Sequence, residues 1–120
     1  MSDEKREDQI DTACGVAETI HGTKFGEHTK LKPNGQQEDY LVLTAEERAK
    51  GFVEPVRRSY VHVKCGSITT MSQALAETYA RCPDFYGGTF CCNCGGHFPV
   101  GASGEFVWHG TTHKVGTRSA

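Results

Sequence analysis

Apolar and polar positions are spread unevenly along this chain. Nine of the eleven aromatic residues lie beyond residue 50, among them Tyr60, Tyr79, Tyr86, Phe106 and Trp108. Residues 1–40 are polar and acidic, and Gly22, Gly26 and Gly35 interrupt any regular period. Such a stretch buries too little apolar surface to offset the entropy of ordering it. The expectation is a flexible, partly disordered acidic N-terminal segment over 1–40, followed by one domain over 41–120. Within the segment only residues 10–20 offer a weak helical face, from Ile10, Cys14, Ala17 and Ile20.

The second part carries clearer periods. Thr44-Ala45-Glu46-Glu47 is a capping box that opens a short helix, with Leu41 and Leu43 leading in and Gly51 as its stop. Residues 59–64 alternate and are β-prone, with Val61 and Val63 on one face and Tyr60 and His62 on the other. Thr70-Met71-Ser72-Gln73 repeats the capping pattern and predicts a helix over 70–81, ended by Pro83. Residues 85–90 then read as a turn entering a strand. Further strands are expected at Phe98-Pro99-Val100 and at Phe106-Val107-Trp108. A last one at 114–117 would pair with the Trp108 strand.

Two of these strands end in the same short motif. His62-Val63-Lys64-Cys65-Gly66 and Cys91-Cys92-Asn93-Cys94-Gly95 each place a ligand, two spacers, a cysteine and a glycine in order. The spacers let both side chains of a knuckle reach one ion, and the glycine permits the tight turn behind it. His62, Cys65, Cys91 and Cys94 together supply three thiolates and one imidazole, a closed tetrahedral set for one structural Zn2+. His62 is the weakest member, because Cys82, Cys92, His97 or His109 could take its place. The predicted fold class is α+β: a small zinc-ribbon-like module of short strands, with a helix inserted between two zinc knuckles.

Composition agrees with a metal staple. The chain has 120 residues and 37% hydrophobic content, with a mean hydropathy of -0.50. A core this thin is supported well by structural zinc, which contributes about 10–16 kcal/mol of apparent binding free energy. The six cysteines read poorly as a disulfide framework, since Cys91 and Cys92 are adjacent and the charged start, Met1 to Asp8, has no secretory character. A reducing cytoplasm with metal-bound thiols is expected, with Cys82 and Cys92 as free thiols. Cys14, near His21 and His28, has no knuckle spacing. No stretch approaches the roughly 18 apolar residues of a membrane span.

Charge and motif content narrow the function. Residues 1–50 carry seven Lys/Arg and eleven Asp/Glu, and residues 51–120 carry six and four. Neither imbalance demands nucleic acid or a membrane. A zinc deaminase would want a glutamate two residues after its histidine, where this chain has Lys64, and no metalloprotease motif is present. Catalysis is not expected.

Residues 43–117 resemble a family of uncharacterised small zinc-ribbon proteins of bacteriophages and prophages. The resemblance rests on Pro55-Val56-Arg57, Tyr60-Val61-His62, Cys65-Gly66, 76–81, Phe85-Tyr86, Thr89-Phe90-Cys91, Cys94 and Phe106-Val107-Trp108. It implies a phage or prophage origin and brings no activity with it. The leading expectation is a non-enzymatic, zinc-stabilised module that binds a host cytoplasmic protein, with the acidic segment steering toward a basic partner. The alternative is a small nucleic-acid-binding zinc ribbon, using Arg57, Arg58 and other cations with Tyr60, Tyr86 or Trp108 as stacking platforms. A zinc-dependent hydrolase is a third reading.

Overall fold

The computed structural model describes residues 7–118, so the charged start at Met1 to Arg6 lies outside the described residues. The fold is α+β, with short, antiparallel strands and, among the described residues, two helices. The first sheet is formed by β1 (Gln9–Thr12), β2 (Gly15–Thr19) and β3 (Leu41–Leu43), in that order. Helix α1 (Ala45–Arg48) follows. A second sheet has β4 (Ser59–His62) at its centre, between β5 (Ile68–Thr70) and β8 (Phe106–Trp108). Helix α2 (Gln73–Arg81) lies in sequence between the knuckles, and β6 (Gly88–Cys91) pairs with β7 (Gly96–Pro99).

The N-terminal expectation is corrected. Residues 10–20 form a strand hairpin instead of a helical face, and the segment expected to be flexible supplies two strands of a sheet. A division at residue 40 would cut through that sheet, because Ala17 pairs with Leu43 and Thr19 with Leu41. The physical reason is local polar bonding added to the burial of Ala17, Val42 and Leu43. Asp39 is 2% exposed. Its carboxylate accepts from the backbone N–H of His21 at 2.9 Å, Thr23 at 3.3 Å and Tyr40 at 2.9 Å. Burial alone would raise the Asp39 carboxyl, but the donors of Tyr40, His21 and Thr23 outweigh it and hold the group below its ordinary value. One buried anion thus closes a loop whose composition reads as unstructured.

Helix starts agree with hydroxyl capping, with one shift. Thr44 accepts from Glu47 N–H and opens α1. In α2 the cap is Ser72, which accepts from Leu75 N–H, while Thr70 belongs to β5. Two overlapping hydroxyl signals lie in that stretch, and pairing with β4 claims the first. Thr78 links the helix to the first sheet: its hydroxyl donates to Ala74 O and accepts from Leu43 N–H at 3.1 Å. Arg48 reinforces the join, bonding Leu43 O through Nε and Glu77 through Nη1.

The main core is aromatic. Tyr60, Tyr79, Phe106 and Trp108 are at most 3% exposed and gather with Met71, Ala76 and Val115. Their rings meet edge to face, at 5.4 Å for Tyr60–Phe106 and 5.5 Å for Tyr79–Trp108. The segment expected as a final strand contributes a single bridge, Val107 with Lys114, and a bond from Val115 N–H to Phe106 O.

Candidate metal centre

The second sheet and the β6–β7 hairpin bring the two knuckles together. β4 delivers His62, and β6 delivers Cys91. Behind His62 the chain turns sharply, with the N–H groups of both Cys65 and Gly66 bonded to His62 O. Gly95 N–H bonds Cys91 O in the same way. Gly66 and Gly95 adopt φ of +77° and +66°, which only glycine takes without strain.

Ligand atoms of His62, Cys65, Cys91 and Cys94 all lie within 4.8 Å of one another. Cys65 Sγ stands 3.4 Å from His62 Nδ1 and 3.5 Å from Cys91 Sγ, and Cys94 Sγ is 3.5 Å from His62 Nδ1. Tetrahedral zinc, with bonds of about 2.3 Å to sulfur and 2.0–2.1 Å to nitrogen, has ligand–ligand edges of roughly 3.5–3.8 Å. The donors therefore fit one such ion. Crowding and local donors shift the thiols in opposite directions. The Ser67 N–H draws the Cys65 thiol down to about 6. Desolvation, with the neighbouring Cys91 and Cys65 sulfurs, pushes Cys94 up to about 11. A cation bound among these sulfurs would stabilise them as thiolates.

The imidazole is held on every side. Phe98 and Phe106 stack on its two faces, each with ring centroids 4.7 Å away and tilts of 25° and 27°. Its far nitrogen, Nε2, lies 2.8 Å from Glu105 Oε1, and Glu105 also meets Lys64 at 3.4 Å. A carboxylate behind a ligating histidine fixes which ring nitrogen faces the metal and raises its basicity. Glu105 sits on the side of the ring away from the sulfurs, where it holds the imidazole with Nδ1 toward them. Sequence reasoning missed it. The contact depends on pairing between β4 and β8, which sets His62 opposite Phe106.

The other candidate ligands are placed elsewhere. Cys82 is bonded to Cys14, which corrects the expectation of a free Cys82 thiol and of an unrelated Cys14. Cys92 is a free, exposed thiol whose Sγ lies 3.4 Å from Ile68 O. His97 bonds the Tyr40 hydroxyl at 2.9 Å through Nε2, and burial lowers its basicity. Tyr40 Oη also accepts from Gln37 N–H. His109 is exposed. The N-terminal loop also reaches the site. Gly35, at φ +91°, lies so close to Gly95 O that a side chain there would collide with the knuckle backbone.

A cavity of about 250 Å³ lies between this loop and the aromatic core, walled by Tyr40, Tyr60, Tyr79 and Tyr86. Three of its hydroxyls are spent internally: Tyr60 donates to Phe90 O, Tyr86 to Leu41 O, and Thr89 to Tyr60. No family model, no curated protein and no solved structure matches the chain.

Proposed function

We propose that this is a zinc-ribbon module of phage or prophage origin that binds a host cytoplasmic protein and is not an enzyme. One zinc ion would be held by His62, Cys65, Cys91 and Cys94, and the chemistry it supplies is cross-linking. Four donors fill a tetrahedron and leave no position for a substrate. The observation that carries the interaction role is apolar exposure on one short loop after α1. There Phe52, Val53 and Val56 are 46%, 55% and 37% exposed. Val63 and Ile68, beside the first knuckle, are exposed as well. Aromatic and aliphatic side chains held outside a core are the usual anchors of protein contact.

Two of the three aromatic platforms of the nucleic-acid reading are covered, while Tyr86 is half-buried and Lys64 exposed. Tyr60 and Trp108 are buried at 2% and 3% exposure and offer no stacking face. Arg57 lies over the Trp108 ring at 4.8 Å and pairs with Glu54, while Arg58 bonds Met71 O. Both cations thus also bond within the fold, although Arg58 is exposed.

The test is capture from host lysate with nuclease present, comparing the natural chain with Phe52→Ser/Val53→Ser. A stoichiometric protein lost in the variant, with zinc content unchanged, supports the reading. Capture that depends on nucleic acid overturns it. Replacing Glu27 and Glu38 by glutamine tests acidic steering through the salt dependence of binding. In a cobalt-loaded chain, a visible spectrum that anions leave unaltered would exclude the hydrolase.

A further inference from the structure

Cysteine chemistry continues at the end of α2, outside the knuckles. Cys82, the C-cap of that helix, is bonded to Cys14 in the turn between β1 and β2, across 68 residues of sequence. The two sulfur groups of the molecule are in different states. Cys65 and Cys91 stand 3.5 Å apart, as donors to a shared ion do, whereas Cys14 and Cys82 are joined directly. Cys82 is 5% exposed and Cys14 is half-buried, so a small molecule reaches the pair through Cys14. A cavity of about 550 Å³ adjoins it, with Thr12, Ala13 and Cys14 on one side and Asp84, Phe85 and Tyr86 among its other walls.

Besides this bond the hairpin is fastened by the pairing of β2 with β3 and by Thr44 N–H on Val16 O, with little apolar surface behind it. Its buried apolar cluster contains only Ala17, Leu43 and Cys82, with Ile10, Leu41 and Phe85 packed alongside. A region with so few buried contacts opens at low cost, so one covalent tie has a large share in keeping it closed.

We propose that Cys14–Cys82 is a reversible redox latch that fastens the N-terminal hairpin to α2 and closes the adjoining cavity, independently of the metal. The oxidant is a low-molecular-weight disulfide. The Cys14 thiolate attacks one of its sulfurs, forming a mixed disulfide and releasing one small thiol. The Cys82 thiolate then displaces the attached half, forming the internal S–S bond and releasing the second thiol. Two electrons pass from the protein dithiol to the small disulfide, and the two protein protons leave on the released thiols. Excess small thiol runs the same steps backward.

The test uses the full zinc-loaded chain, equilibrated in glutathione buffers of graded reduced-to-oxidised ratio. Thiols are trapped by alkylation and mapped by mass spectrometry, and amide exchange is followed over residues 9–19. Cys14 and Cys82 should gain and lose reactivity together as the ratio changes, while zinc stays at one per chain. Exchange over 9–19 should be ~10-fold or more faster in the reduced form. Cys14→Ser should match the reduced form at every ratio. The latch is overturned if the pair is reactive, or unreactive, at all ratios, or if exchange over 9–19 ignores the bond. It is equally overturned if the reduced chain takes up a second zinc that Asp84→Ala abolishes, since Cys14, Cys82 and Asp84 would then be a metal site.

Discussion

The region from β4 onward and the region before α1 reach order by opposite routes. Beyond residue 59, aromatic rings interlock around Tyr60 and Trp108, and four metal donors converge from two knuckles. Before residue 44, the buried apolar side chains are few and aliphatic, Ala17, Val42 and Leu43, and a carboxylate, several hydroxyls and one sulfur–sulfur bond close the loops. One region is held by non-directional burial and brings together donors that could hold an ion. The other depends on directional bonds, each of which must be in place. The two should therefore fail under different insults, and each insult should leave a signature in one region first.

The largest separation should come from the metal. Cys91→Ser removes a fully buried donor and with it stabilisation on the order of 10 kcal/mol. Circular dichroism and tryptophan emission should report an unfolded module and loss of bound zinc. A folded, metal-free variant would remove the ion from the account of the fold.

Asp39→Ala should act in the other region. It leaves three backbone N–H groups without their acceptor, at a cost of about 3 kcal/mol. Amide exchange should quicken across 9–43 and stay slow across β4 and β8, with zinc retained. Acid should copy this effect. The folded Asp39 carboxyl lies below its ordinary value, so its contribution is complete above about pH 4 and is lost as the pH falls through the folded value. Uniform protection in both regions at low pH would argue against a special role for Asp39.

Glu105→Gln keeps an acceptor beside His62 but removes its charge. Zinc affinity should fall roughly 10- to 100-fold, measured by competition with a chelator, with the fold unchanged. The smallest effect belongs to Ser72→Ala, which removes the α2 cap for about 1 kcal/mol and lowers the Tm without altering zinc binding.

The same contrast explains what could be read from the chain. Knuckle spacing exposes His62, Cys65, Cys91 and Cys94 because short-range geometry dictates it, and the hydroxyl caps and the β4 alternation are local signals too. Glu105 was hidden because a ligand's outer partner is set by strand register, not spacing. The N-terminal sheet was hidden more deeply. Its strands are short and poor in large apolar residues, and what fixes them is one acid at position 39 reaching donors at 21 and 23. Cys14 looked isolated because its partner is 68 residues away.

The pairing of β2 with β3 bears on how the protein can be handled. A chain trimmed to begin at residue 41 would lose β2, leaving the β3 backbone along Leu41–Leu43 without its neighbour. It would also uncover Leu43, which is 0% exposed in the intact fold. A bare, apolar strand edge recruits another copy of itself. The acidic stretch thus doubles as a guard against aggregation: shortened versions would turn turbid at concentrations where the whole chain stays clear, even with the zinc module intact.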